Sequence, residues 1–255
     1  MCSVVILFRP GHRWPILLGA NRDEMIDRPW APPARHWPDR SHVVAGLDKL
    51  AGGSWLGVND DGMVAAVLNR MNTLGPQPGR RSRGELVLEA LDHSDAADAA
   101  AALSDIDPGA YRPFNMVLAD NSKAYWLRNL GYEAGWIEAM ELPSGLSMVT
   151  ARDRNDPASP RIRTYLPLFE AAETPDPDAE AGHGTWSDWE RLLASRQFEA
   201  GGDSTGAMAV VTETGFGTTS SSLIALPGPD AGPQRPIWRF CAGLPGEQPF
   251  ELVPL

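Results

Sequence analysis

The chain has 255 residues, 43% of them hydrophobic and 22% charged, the make-up of a folded protein and not of a disordered one. Thirty-three acidic against 22 basic residues give −11 at pH 7, and the short basic run Arg80, Arg81 and Arg83 stands alone, so nucleic acid is excluded as an expected partner, since it demands a clustered cationic footprint. Cys2 and Cys241 make neither a disulfide framework nor a CxxC metal motif; no run reaches the roughly 20 apolar residues of a membrane span, and the apolar stretch 4–8 is too short for a signal peptide, which leaves the cytoplasm as the expected address.

Residues 3–8 are β-branched and apolar, break at Arg9-Pro10-Gly11, and resume at residues 15–20. This predicts two strands joined by a turn, in a sheet covered on both faces. Residues 29–38 are proline-rich and read as a loop. Strands follow at 43–46 and 51–58, with Asn59-Asp60-Asp61-Gly62 as a hairpin turn and 63–69 as the returning strand. Ser82 and Glu85 have the spacing of a capping box, which predicts a helix onset there. The alanine-rich stretch 95–103 extends helical structure up to Asp107-Pro108-Gly109.

Residues 115–120, 124–127 and 145–149 predict three further strands. Residues 161–172 and 187–198 predict helices, the second opened by Ser187 and Glu190 in another capping-box spacing. The polar stretch 173–184 between them reads as a solvated loop. Strands at 207–211, 220–226 and 236–240 complete the pattern. Strands, helices, strands, helices, strands in that order predict an α+β layered fold, with one domain over residues 1–255.

The most informative residue is Cys2. Removal of Met1 leaves a thiol and a free α-amine on one residue, and an amine titrating at roughly pH 7.7–8 can accept the thiol proton at neutral pH. A buried strand directly after it would fix it in place. A polar burst, Asn21-Arg22-Asp23-Glu24, closes the second apolar strand. Asp23 near the terminal amine would orient it, and Arg22 would favour thiolate or bind a substrate carboxylate. Period-two alternation puts Asn21 and Asp23 on one face and Arg22 on the other. Asn69 closes another apolar strand, where its amide can donate to an oxyanion. His12, His36, His42, His93 and His183 are scattered without metal-ligand spacing, so no metal site is expected. The tryptophans serve either as core or as the lining of an apolar cleft.

Cys2, Asn21-Arg22-Asp23-Glu24, residues 51–58, Asn69 and Ser82-Arg83-Gly84-Glu85 together resemble the NRDE family, which includes transport and Golgi organisation protein 2. The resemblance implies the N-terminal nucleophile hydrolase architecture, a four-layer αββα sandwich, and a distant relation to choloylglycine hydrolases and penicillin V acylases. In that wider group Cys2 matches the nucleophile. The group's second strand ends Gly-Arg-Asn-x-Asp, and Gly19-Ala20-Asn21-Arg22-Asp23 is similar to it, with Ala20 at the arginine position and Arg22 displaced by two. Asn69 matches the oxyanion asparagine, and Ala151 stands where a second asparagine is expected.

The resemblance implies two readings of function. In the first, Cys2 attacks a linear amide or other acyl substrate and forms a thioester. Asp23 and Asn69 assist, and Arg22, Arg239, Asn21 and Trp55 contact the small-molecule substrate without any cofactor. In the second, the fold carries an apolar ligand, a lipid-like molecule or haem as a transported cargo.

Overall fold

The computed structural model describes residues 2–179, 185–229 and 235–255. Its strands in chain order are β1 (Ser3–Phe8), β2 (Ile16–Met25), β3 (Trp30–Ala34), β4 (Val43–Asp48), β5 (Leu56–Asn59), β6 (Val64–Asn69), β7 (Phe114–Ala119), β8 (Ala124–Asn129), β9 (Ile137–Glu141), β10 (Gly145–Val149), β11 (Phe216–Leu226), β12 (Ile237–Cys241) and β13 (Phe250–Leu252). The helices are α1 (Gly84–Leu91), α2 (Ala96–Ser104), α3 (Pro160–Ala171) and α4 (Ser187–Leu193). One sheet runs β10-β1-β2-β11-β12-β13 and the other β3-β4-β5-β6-β7-β8-β9. Every strand pairing in both is antiparallel.

Side-chain alternation builds the layers. Val4, Ile6 and Phe8 of β1 and Ile16, Leu18 and Ala20 of β2 meet Val58, Ala66 and Leu68 of the other sheet in a shared inner core. Val5 and Leu17 point the opposite way, against Ile162 and Phe169 of α3 and Trp189 of α4. On the far side, Ala65, Met116 and Leu118 pack against α1 and α2. The result is an αββα sandwich in which both sheets are buried on both faces, as the near-continuous apolar strands require. Each fully buried aliphatic side chain of β1 contributes roughly 1.5–3 kcal/mol, so the start of the chain is held in place instead of fraying, and Cys2 is held with it.

Several local expectations are corrected. The proline-rich stretch 29–38 contains β3, and its prolines are tolerated because β3 is an edge strand. The edge strands β9 and β13 also went unpredicted, being short and half-exposed. Residues 207–209 form bends and Val211 only an isolated bridge to Gly217, and α4 stops at Leu193. Neither capping box forms: Arg83 and Trp186, not the serines, stand at the N-caps of α1 and α4, and the glutamates are ion-paired, Glu85 with Arg81 and Glu190 with Arg239. His183 and Met1 lie outside the described residues.

Candidate active site

β1 and β2 are paired with Ser3 opposite Asn21 and Val4 opposite Ala20, so one step further out Cys2 comes opposite Arg22. Residues facing each other across an antiparallel pair share a face. Arg22 therefore returns to the inner side of the sheet that Ala20 occupies, while Asn21 and Asp23 turn toward the α3/α4 layer. The Cys2 sulfur, at the margin of the inner core, donates to the backbone carbonyl of Asp23 at 3.6 Å.

Asn21, Arg22 and Asp23 at the end of β2 each meet a hydroxyl of β11. Thr218 Oγ1 donates to the Asp23 carboxylate at 2.6 Å, Arg22 donates to Thr219 Oγ1 at 2.9 Å, and Ser221 Oγ donates to Asn21 Oδ1. A register shift between Thr218 and Ser220 inserts Thr219 as an extra residue, which aims hydroxyls at both Asp23 and Arg22. The fully buried Asp23 carboxylate also accepts from Arg161 of α3 at 2.9 Å, and Arg161 in turn donates to the Thr205 carbonyl at 2.8 Å. A carboxylate this buried requires such partners, since an unpaired charge in the interior costs several kcal/mol.

The electrostatics at Cys2 oppose spontaneous ionisation. Burial pushes the thiol up from its ordinary value, the negative charge of Asp23 pushes it further, and Arg22 acts in the other direction. Burial likewise lowers the Arg22 guanidinium, opposed by the charges of Cys2, Glu24 and Asp48. A sulfur in this setting needs a base within reach to become a nucleophile.

Cys2, Arg22, Trp55 and Asn69 open onto one cavity of about 350 Å³, with Arg80 and Arg83 along its rim. Trp55 lies beneath the Arg22 guanidinium, whose carbon is 4.5 Å from the ring centroid. Its ring occupies the space a side chain at Gly46 would need, since a Cβ there would come within 2.4 Å of it. Gly53 plays the same part for backbone: a Cβ would fall 2.4 Å from the carbonyl carbon of Gly84, and Ser54 N–H donates to the Gly84 carbonyl at 3.0 Å. That contact explains Gly53, while Gly52 before it takes a φ of +75°, and it brings Arg83 to the cavity. Asn69, half-buried at the end of β6, makes no side-chain hydrogen bond among the described residues, so its amide is uncommitted.

Not every expected residue reaches this cavity. Arg239 sits on the opposite face of its sheet, ion-paired with Glu190 and over the ring of Phe250, because Trp238 and Phe240 on either side of it take the inner core. Asn21 is buried toward the helices, donating to the carbonyls of Leu193 and Met208 at 2.9 Å each, so it braces the structure behind the site. Ala151 lies away from the cavity, its carbonyl accepting from Met71 N–H. Of the tryptophans only Trp55 lines the cavity, while Trp186, Trp189 and Trp238 are fully buried core. Arg161 and Thr218 are partners of Asp23 that sequence reasoning missed. The signal for Arg161 was an arginine in register with Tyr165 and Phe169, on the buried stripe of α3. The signal for Thr218 was five hydroxyl residues in a row within a fully buried strand. Among the described residues no group of three or more His, Cys, Asp or Glu is arranged to hold a metal, and no helix is long and apolar enough to cross a membrane.

The family model for transport and Golgi organisation 2 matches residues 1–226. The chain belongs to the transport and Golgi organisation 2 family. Relatives in it include the mouse (Mus musculus) homolog, 33% identical over 131 residues, covering 48% of this chain and 46% of that protein, and the Bos taurus homolog, 34% identical over 133 residues with the same coverages. The match thus spans about half the length of these relatives. Among solved structures, a Caenorhabditis elegans ortholog of N-acylethanolamine-hydrolyzing acid amidase superposes with TM-score 0.60 at 13% identity, covering 99% of this chain and 100% of that one. Penicillin V acylase from Agrobacterium tumefaciens does so with TM-score 0.53 at 10% identity, covering 94% and 83%. A C2A mutant of conjugated bile acid hydrolase from Clostridium perfringens does so with TM-score 0.51 at 11% identity, covering 100% and 97%. At these identities the likeness establishes the fold, that of the N-terminal nucleophile hydrolases.

Proposed function

We propose that this family member is a hydrolase of linear amides or related acyl compounds, with Cys2 as its nucleophile. The observation that carries the reading is the convergence of Cys2, Arg22 and Asn69 on one cavity, with Asp23 anchored directly behind the sulfur by Arg161 and Thr218.

Loss of Met1 would free the α-amine of Cys2 beside the Asp23 carboxylate. The amine takes the thiol proton and the sulfur forms a bond to the substrate carbonyl carbon, whose oxygen becomes an oxyanion facing the Asn69 amide. As the carbonyl re-forms, the bond to the leaving nitrogen or oxygen breaks and that atom takes the proton from the ammonium. Water then attacks the thioester, giving its proton to the amine, and the cleaved sulfur recovers it as the acid departs. Such a base answers the raised thiol, and an oxyanion donor of this kind contributes roughly 10²–10³ in rate. Names of the structural neighbours, an amidase, an acylase and a hydrolase, agree with this reading. The cavity's arginine-rich lining favours it over carriage of an apolar ligand.

The test is turnover of an amide and ester panel by the purified protein, with intact-mass analysis. The expected result is protein lacking Met1, an acyl adduct on Cys2, and no turnover in Cys2→Ala. Retained Met1, or turnover that survives Cys2→Ala, overturns the proposal.

A further inference from the structure

The cavity has more positive charge than its own carboxylates neutralise. Of its acidic residues, Asp23 is bound to Arg161, while Asp48 and Glu24 are bound to Arg28 at 2.8 and 3.8 Å. Four arginines on its lining have no carboxylate partner among the described residues. Arg22 is held by Thr219 and the face of Trp55. Arg83 donates only to the Thr73 hydroxyl and the Pro113 carbonyl, at 3.0 and 3.1 Å. Arg112 donates only to backbone carbonyls of residues 72 and 74–76, which fixes the Gly75-Pro76-Gln77 wall of the cavity. The exposed Arg80 guanidinium has neither hydrogen bond nor ion pair among the described residues, and lies over Gly109.

The clustering of such arginines sets this cavity apart. In a protein of net charge −11, carboxylates are abundant, and most arginines outside the cavity take them, as Arg35 does Asp60, Arg40 Asp92 and Arg163 Glu199; Arg9 and Arg154 bind a carbonyl and a hydroxyl instead, but singly, whereas four such arginines share this one cavity. Arg83 shows what the local excess costs. Burial, and then the positive charge of Arg112, push its guanidinium down to about 10. Cations gathered at a half-buried site without counter-charge in the fold are matched by a counter-charge from outside it.

We infer that the molecule taken into this cavity carries an oxyanion group, a phosphate or a carboxylate, and that Arg80 and Arg83 bind it. Arg112 positions the wall they stand beside. The inference rests on the cavity being the substrate site proposed above and names the chemical class of that substrate: an acyl compound with an anionic group set apart from the bond that reacts with Cys2.

Calorimetric titration of Cys2→Ala protein with inorganic phosphate and, separately, succinate tests this without any need for turnover. One of the two is expected to bind with saturable heat, and the tighter one identifies the group as phosphate or carboxylate. Arg80→Ala, which removes nothing the fold uses, and Arg83→Gln, which keeps a donor for Thr73 and Pro113, are each expected to weaken it about tenfold. Arg154→Ala, remote from the cavity, is expected to leave it unchanged. Absence of saturable binding of either anion at millimolar concentration overturns the inference, as does an equal loss in Arg154→Ala. Anion binding that persists in a protein whose wild-type form shows no hydrolysis overturns only the catalytic reading.

Discussion

Arg22 shares a face of β2 with Ala20 and stands opposite Cys2, one step beyond the Ser3–Asn21 pair. The arginine that the wider acylase pattern carries at the position of Ala20 is therefore displaced along the strand without changing sides, since a shift of two residues preserves orientation. Its charge still acts on the sulfur.

Replacing that charge should be visible at the thiol. Burial and Asp23 raise the Cys2 thiol and Arg22 lowers it, so the thiolate fraction, and with it alkylation by iodoacetamide, is expected to climb through pH 9 with no plateau at neutral pH. Arg22→Met removes a side-chain cation that favours the thiolate while keeping the bulk over Trp55. It should move the profile to higher pH and slow alkylation at pH 8 several-fold, in line with about 1 kcal/mol for a charge pair near water. A profile unchanged by Arg22→Met would separate this arginine from the sulfur. Cys241, buried and pushed up to about 11, should stay unmodified throughout.

The Asp23–Arg161 pair links the site to α3, and its removal should be felt in stability and activity together. Asp23→Asn takes the carboxylate from a buried guanidinium, which costs about 3–5 kcal/mol in comparable cases. Asp23→Asn combined with Arg161→Met should recover much of that loss in denaturant melts. On the proposed mechanism turnover should remain absent in both, because neither variant restores the carboxylate assigned to the amine of Cys2. Recovery of turnover in the double variant would reduce Asp23 to a scaffold residue.

What was legible in the sequence and what was not follows from the range of the forces involved. The polar ends of β2 and β6 stood out because Asn21, Arg22, Asp23 and Asn69 interrupt apolar alternation, a local signal, and the alternation also put Asp23 and Arg22 on opposite faces. Their partners come from far along the chain: Thr218 is 195 residues from Asp23 and Arg161 is 138. No spacing rule predicts such a pairing. Arg239 was misplaced for the same reason. A late strand can present an arginine to either face, and the choice was made by Trp238 and Phe240 entering the inner core. The edge strand β3 was hidden because its prolines argue against pairing, an argument that holds only for interior strands.

Asn69 and Arg239 make a contrasting pair for mutagenesis. Asn69→Ala removes no hydrogen bond the described fold uses, so thermal stability should stay close to wild type while kcat falls roughly 10²–10³-fold if the amide serves the oxyanion. Arg239→Ala breaks a partly exposed ion pair with Glu190, worth about 0–1 kcal/mol. Its kcat and KM should be unchanged. A large kinetic effect from Arg239→Ala together with none from Asn69→Ala would invert the assignment.

Gly53→Ala tests how the cavity wall is assembled. The added Cβ would sit 2.4 Å from the Gly84 carbonyl carbon and 2.7 Å from its oxygen, both backbone atoms that no rotamer change can move aside. The β4–β5 loop and the start of α1 must then separate, stretching the Ser54-to-Gly84 hydrogen bond and carrying Arg83 away from the cavity. Forced overpacking of this kind costs typically 1–3 kcal/mol. The expected signature is a modest loss of stability together with a rise in KM for substrates that engage Arg83. Gly52→Ala serves as the control: a Cβ there meets nothing within 4 Å, but its φ of +75° imposes backbone strain without pushing on α1. It should lower stability and leave KM alone. A KM raised equally by both substitutions would mean that loop strain, and not the contact with α1, governs access to the cavity.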